Sequence, residues 1–195
     1  MTQIFDENGL VIPVTIIEAG PCVITQIKNK DQHGYSAVQI GYGQVKEKYI
    51  NRPSLGHLKK SGATALKYLS EVRLNNVNNF SLGQVITIDN LHVGQKVKIS
   101  GRSIGKGFAG NQKRHNFTRG PMSHGSKNHR APGSIGAGTT PGRVIPGKKM
   151  AGQLGNKQTS IKNLLIIHVD TERNLLVIRG SVPGKTGNLL KIHPI

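Results

Sequence analysis

The 195-residue chain carries 27 Lys and Arg against nine Asp and Glu, a formal net charge of +18, with 25 glycines, one cysteine and no tryptophan. That length suits one domain, or one domain with a large appendage, and excludes a free-standing multidomain enzyme. A single cysteine excludes an internal disulfide, no run approaches the ~20 apolar residues that span a bilayer, and Met1 to Leu10 lacks the basic start and apolar block of a signal peptide. The expectation is therefore a soluble protein that stays in the reducing compartment where it is made.

Leu, Ile, Val and Phe number 53, enough for a chain to collapse, and the flanks of the sequence read mainly as strands. Leu10 to Glu18 and Cys22 to Lys28 are rich in β-branched residues and are parted by the turn signal Ala19-Gly20-Pro21. Cys22, in the run Pro21-Cys22-Val23-Ile24-Thr25, reads as a buried structural thiol. Tyr35 to Ile40 pairs back as a hairpin across Asp31-Gln32-His33-Gly34. His57 to Leu74 is the one stretch that predicts a helix, with Leu58, Ala65, Leu66, Leu69 and Val72 at approximate three-and-four spacing. Val85 to Ile88 and Lys96 to Ile99 supply two short strands. Leu164 to Val169 and Leu175 to Arg179 flank Asp170-Thr171-Glu172-Arg173-Asn174 as the clearest hairpin, and Leu189 to Ile192 adds a last strand. Many short strands with one helical excursion predict a mainly β fold: a small closed or nearly closed β-barrel body, formed by 1–100 and 161–195, interrupted by an inserted basic arm, 101–160.

Charge and core lie in different places. Residues 101–160 hold 13 of the 25 glycines and 11 of the 27 basic residues, and no acid occurs from Asn90 to Val169. Only Ile104, Phe108, Phe117, Ile135, Val144, Ile145 and Leu154 in those 60 residues are Leu, Ile, Val or Phe. Such a segment cannot fold by itself, and the flanks can. Ile104 and Phe108 are the residues that would complete the core of the flanks if the boundary lay further in.

Two glycine motifs are decoys. Gly105-Lys106-Gly107-Phe108-Ala109-Gly110 has the letters of a dinucleotide fingerprint, but Asn111 to Arg119 is too polar and basic for the required helix, and the acid about twenty residues on is missing. Gly180-Ser181-Val182-Pro183-Gly184-Lys185-Thr186 resembles a phosphate loop with one residue too few between its glycines, and a strand follows it. His115, His124 and His129 lack the further N or S ligands at tight spacing that zinc requires. The basic segment has no paired carboxylates and no Ser-His-acid grouping. No metal, cofactor or enzymatic activity is expected.

Nucleic-acid binding remains. Closely spaced glycines let a backbone approach a polyanion, and the interleaved Arg102, Lys106, Lys113, Arg114, Arg119, Lys127, Arg130, Arg143, Lys148, Lys149 and Lys157 can neutralise its phosphates. Arg114, Arg119, Arg130 and Arg143 add a planar fork for bidentate phosphate contacts or base stacking. His115, Phe117, His124 and His129 supply flat rings for unpaired bases, which favours RNA over duplex DNA. A solvated basic loop without a fixed partner is the bland alternative.

Six runs occur in order: Gly105 to Gly110, Lys113-Arg114-His115-Asn116-Phe117, Ser123-His124-Gly125-Ser126-Lys127, His129 to Gly136, Thr140-Pro141-Gly142-Arg143-Val144 and Gly147 to Asn156. Together they resemble the universal large-subunit ribosomal protein L-three family of bacterial type, over nearly the whole chain. The stretch 119–127, with His115 where many bacterial relatives have Trp, resembles the cyanobacterial and plastid branch. The abundance of Ile, Asn and Lys also fits a compact, AT-rich organellar genome.

The resemblance implies a β-barrel body on the outside of the large subunit, beside proteins of the L-fourteen and L-nineteen families. It implies an arm that enters the large-subunit ribosomal RNA, early in assembly and near the RNA's 3′ end. Gly147 to Asn156 would form the deeper part, approaching the peptidyl transferase centre without taking part in bond formation. Gln153 joins the RNA-binding candidates and is also a candidate methylation site, since its counterpart is methylated in some bacterial relatives. The implied location is the plastid stroma, with the cyanobacterial cytoplasm as alternative, and the implied state is part of a ribosome rather than a homo-oligomer. A free basic RNA chaperone is the other functional reading. Family members usually have a further glycine-containing strand ahead of Met1-Thr2-Gln3-Ile4-Phe5, and this sequence does not, which bears on barrel closure.

Overall fold

A computed structural model describes residues 1–195. The chain is mainly β. Its strands are β1 (Thr2–Phe5), β2 (Val11–Glu18), β3 (Cys22–Lys28), β4 (Ala37–Gln44), β5 (Leu66–Arg73), β6 (Val85–Ile86), β7 (Lys96–Arg102), β8 (Phe108–Ala109), β9 (Gly152–Gln153), β10 (Gln158–Asp170), β11 (Leu175–Arg179) and β12 (Leu190–Pro194). Three short helices accompany them, α1 (Lys30–His33), α2 (Arg52–Lys60) and α3 (Asn111–His115). No helix is long and apolar enough to cross a membrane.

The strands form one sheet of order β1-β2-β11-β10-β7-β12, a second of order β5-β4-β3-β6, and the two-stranded β8-β9. None closes on itself, so the expected closed or nearly closed barrel is not found: β1 and β12 end the six-stranded sheet without pairing with each other, and the four-stranded sheet ends on a β6 of two residues. Short β-branched runs punctuated by turn residues fit open sheets as well as a barrel, because closure depends on shear and register, which neither feature encodes.

The chain divides into two compact units, residues 1–98, 162–181 and 193–195 in the first, residues 99–161 and 182–192 in the second. In the first unit β2 and β11 pair antiparallel from Leu175 opposite Glu18 to Arg179 opposite Val14. Val14, Ile166, Leu176 and Ile178 of this region are wholly buried. The buried Thr15 is satisfied there by donating from Oγ1 to the carbonyl of Gly180 at 2.6 Å, as a hydroxyl removed from water requires. A second cluster joins Ile24 and Val38 of the β3–β4 pair to Val77, with Ile27, Ile40, Leu74, Phe80 and Ile86 packed around it. Burial pushes the half-buried Cys22 thiol pKa upward, which suits an inert structural thiol.

The expected hairpin near the C-terminus is present, and local chemistry explains its turn. The Asp170 carboxylate accepts the N–H of Arg173 at 3.1 Å, and Asn174 takes φ +54, a conformation that asparagine tolerates better than most residues. Its first strand runs longer than expected, 13 residues with a bulge between Ile166 and His168. The strand at 85–88 is shorter, ending at Ile86 before a 3-10 turn at Ile88–Asn90. β1, which pairs with β2 from Thr2 opposite Val14 to Phe5 opposite Val11, was not anticipated.

The helix expected over 57–74 is the main error in local structure. α2 starts earlier, with Pro53 in its first turn, and ends at Lys60. The Ala63 N–H donates to the Leu58 carbonyl at 3.3 Å and the Gly62 N–H to the Lys59 carbonyl at 3.1 Å. With Gly62 at φ +70, these bonds form a Schellman motif that terminates the helix. β5 follows, and its period is two: Leu66, Tyr68, Ser70 and Val72 turn inward, while Lys67, Leu69, Glu71 and Arg73 face solvent. Leu66, Leu69 and Val72, each three residues from the next, fit a helical stripe, but in the strand Leu69 falls on the face opposite Leu66 and Val72. Nothing lies within 4 Å of a Cβ placed on Gly62, so Gly62→Ala should cost only the left-handed backbone penalty, about 1 kcal/mol. A urea melt of the variant checks this.

Candidate nucleic-acid interface

Apolar burial does not hold the second unit together. Of the buried apolar side chains, only Ile99 and Ala109 belong to it and 13 belong to the first unit. Backbone pairing serves instead. The Ser103 N–H donates to the Lys157 carbonyl at 2.9 Å, the Asn156 N–H to Ser103 at 3.2 Å, the Lys106 N–H to Leu154 at 2.9 Å and the Leu154 N–H to Gly107 at 3.0 Å. β8 and β9 extend this ladder, Phe108 opposite Gln153 and Ala109 opposite Gly152. The outgoing and returning chains thus form a two-stranded ribbon.

Two glycines leave room that the ribbon uses, Gly155 for backbone and Gly152 for a side chain. A Cβ on Gly155, which sits at φ +71, would collide with the carbonyl oxygen of Ile104. A Cβ on Gly152 would lie 2.8 Å from an Nη of Arg114, so the guanidinium covers that face. In the sequence the closely spaced glycines of this segment read as points of approach to a polyanion, whereas Gly152 and Gly155 admit the protein's own groups. Gly147, at φ +84, has open space around it.

α3 positions Arg114 and His115 on one acceptor. Arg114 Nη1 donates to the Met150 carbonyl, and His115 Nε2 lies 3.1 Å from the same oxygen. A carbonyl only accepts, so Nε2 carries the proton in that contact. Asn116 at φ +58 ends the helix, and the Phe117 ring lies 6.1 Å from that of His115, tilted by 45°. Arg114, His115 and Phe117 are half-buried, and Arg114 and His115 tie the returning chain down at Met150.

No helix or strand occurs from Asn116 to Ala151, and every residue from Arg130 to Lys149 is exposed. One loop is closed at its neck: the Gly120 N–H donates to the His129 carbonyl at 3.1 Å, and His129 Nδ1 meets the Pro121 carbonyl at 2.9 Å. Arg119 and Arg130 stand at that neck, and exposed His124 and Lys127 lie within the loop. His124 and Gly125 both take positive φ, +57 and +74. Further on, Arg143, Lys148 and Lys149 are exposed, with a local turn from the Lys148 N–H to the Ile145 carbonyl at 3.3 Å. Arg102, Lys106, Lys113, Gln153 and Lys157 are exposed too.

Electrostatically these cations are unopposed. The chain's one internal ion pair joins Lys28 Nζ to Glu71 at 2.6 Å, in the first unit, with the Tyr35 hydroxyl bonded to both at 2.8 Å. Hydrogen bonds from Lys28 and then Tyr35 hold the Glu71 carboxyl below its usual pKa range, and the bond to Glu71 holds Lys28 above its own. All eleven basic candidates lack a carboxylate within ion-pair distance. The second unit adds Lys185 and Lys191, both exposed, which sequence reasoning did not single out.

The structure also corrects one decoy. A helix does follow Gly105 to Gly110, namely α3, although a polar, basic stretch was expected to form none. It is only five residues long, and the ribose-binding acid is still missing as far as Val169. Gly180 to Thr186 leads from β11 toward β12, and Asn188 Nδ2 donates to the carbonyls of Arg102 and Pro183 at 3.0 and 3.1 Å, so the turn is tied to its own chain. Phe108 was weighed only as a core residue. It is 80% exposed, and Ile104 is 56% exposed.

Comparison with known proteins identifies the family. The profile of the family described as ribosomal protein L3 matches residues 69–175. The chain is 66% identical over 194 residues to the large ribosomal subunit protein uL3c of Phaeodactylum tricornutum, covering 100% of this chain and 94% of the relative. It is 62% identical to the large ribosomal subunit protein uL3 of Acaryochloris marina and to that of Nostoc sp. PCC 7120, in each case over 100% of this chain and 92% of the relative. With a plastid protein and cyanobacterial proteins alike at this identity over its full length, the chain belongs to the ribosomal protein L3 family, on its plastid and cyanobacterial branch.

Proposed function

We propose that this chain is a structural, non-catalytic constituent of the large ribosomal subunit, and that residues 101–160 bind large-subunit ribosomal RNA directly. The observation that carries the reading is the set of eleven cations in that segment with no carboxylate partner, on a backbone that buries almost no apolar surface. Such a segment has a large electrostatic free energy to gain from a polyanion and little to gain from a protein core. Arg102, Lys106, Lys113, Arg119, Lys127, Arg130, Arg143, Lys148, Lys149 and Lys157 take phosphates. His124, His129, Phe117 and Gln153 meet bases or sugars, and Arg114 and His115 hold the returning chain in place while facing the RNA.

The finer placement follows the family resemblance. Residues 1–100 and 161–195 form the body, on the outside of the subunit beside members of the L-fourteen and L-nineteen families. The arm enters the RNA early in assembly, near its 3′ end, and Gly147 to Asn156 approach the peptidyl transferase centre. That stretch has no acid, cysteine or histidine, so it has no group to move a proton near neutral pH. Its contribution is packing, and Gln153 is the candidate site of methylation.

Sedimentation of a native plastid or cyanobacterial extract through a sucrose gradient tests the reading. The chain should travel with the large subunit in one copy per particle. RNA binding without stoichiometric cosedimentation would instead make it a free chaperone, and an enzyme built on the glycine motifs would bind nucleotide in the absence of RNA.

A further inference from the structure

We infer that Phe108 and Gln153 together form a binding site for one unpaired nucleobase, with the phenyl ring as stacking surface and the side-chain amide reading the base's edge. The inference rests on the RNA-binding reading above and assigns the ribbon a role beyond charge.

Phe108 and Gln153 are direct partners across the β8–β9 pair, so their side chains rise on the same face of the ribbon. Phe108 is 80% exposed and Gln153 is exposed, while Ala109, the next residue along β8, is 4% exposed. On the β9 strand, Gly152 is covered by Arg114. The ribbon therefore has one occupied face and one bare face, and the bare face carries a large aromatic ring beside a group that both donates and accepts hydrogen bonds.

The ribbon is also ordered enough to hold that pair in register. Backbone bonds tie 103–107 to 154–157, and Arg114 is bonded to Met150 just before β9. Charge selects the occupant. Lys106 and Lys157 are exposed on the same ribbon, and no acid lies anywhere between Asn90 and Val169. A bare ring within unopposed positive charge matches a ligand that combines phosphates with flat aromatic groups. An unpaired base of RNA offers its π-face to the ring and its edge to the amide, whereas a paired base in an A-form helix offers neither.

The test uses the full-length chain and protein-free large-subunit RNA. Phe108→Ala is expected to weaken binding about tenfold, within the roughly 5- to 150-fold that one stacked base is worth. The log–log salt slope should stay unchanged, since no charge is removed. Phe108→Tyr should restore binding, and Phe108→Leu, apolar but without a π-face, should not. Chemical probing should show at least one base that the wild-type chain protects and Phe108→Ala leaves reactive, and Gln153→Glu should weaken that protection. Inorganic polyphosphate, a polyanion without bases, should bind wild type and Phe108→Ala equally well. Unchanged RNA affinity in Phe108→Ala, full rescue by Leu, or an equal loss toward polyphosphate would each overturn the site while leaving the RNA-binding reading intact. A wild-type chain with no salt-dependent RNA affinity would instead remove the RNA-binding reading itself. The exposure of Phe108 keeps folding out of the comparison, and coincident thermal melts of wild type and variants verify that.

Discussion

Raising monovalent salt from about 50 to about 200 mM is expected to lower the affinity of this chain for large-subunit RNA by roughly 10² to 10⁵-fold. Each phosphate neutralised by Lys or Arg releases condensed counterions, and the gain from that release shrinks as bulk salt rises. If six to ten of the eleven basic residues of the arm meet phosphates, the log–log slope should be roughly −4 to −9. None of the eleven has to break an internal ion pair first, because the only pair in the chain uses Lys28. Filter binding across a salt series measures the slope. A value shallower than about −2 would show that the arm does not bind by charge, and recognition would then have to reside in the structured flanks.

Gly155→Val is expected to take apart the ribbon. Valine is branched at Cβ and strongly disfavours the φ of +71 found at this position. Its Cβ would also collide with the Ile104 carbonyl oxygen, a backbone atom that cannot rotate away. Relief requires the two chains to separate, which endangers the bonds from the Asn156 N–H to Ser103 and from the Leu154 N–H to Gly107. Strain and lost hydrogen bonds together amount to about 4 kcal/mol, at the severe end for a single substitution. Amide hydrogen exchange reads this directly: Lys106 and Leu154 should lose protection, while Ile166 and Leu176 in the first unit keep theirs. Uniform protection equal to wild type would mean that Gly155 is not the constraint its surroundings suggest.

How far the sequence could be read depended on whether a feature was local. The hairpin of β10 and β11 was legible because two apolar runs and the intervening Asp170 to Asn174 specify it within a short window. The boundary inside 57–74 was not, since Gly62 had to outweigh the helical spacing of Leu66, Leu69 and Val72, of which only Leu66 and Val72 share a face of the strand. β8 and β9 are rungs of two residues, drawn from Gly-rich segments more than forty positions apart, and they carry no propensity signal of their own. The candidate site shows the same division. Its cations and its lack of acids stood out from composition alone. The assignment of Gly155 to an internal approach, of Arg114 to Met150, and of Phe108 to the face it shares with Gln153 all depend on pairings across the ribbon. Barrel closure lay beyond local pattern for the same reason.

The single ion pair, Lys28 with Glu71, has a consequence for the chain before it meets RNA. At +18 with one internal neutralisation, the free protein is a polyelectrolyte under self-repulsion, which is strongest when the Debye length is long. Screening therefore acts on it with opposite signs in its two states: added salt steadies the free chain and loosens the complex. The ionic strength at which the isolated protein is most comfortable is the one at which it holds RNA least well. Between these, the most effective counterion for so basic a chain is a phosphate backbone.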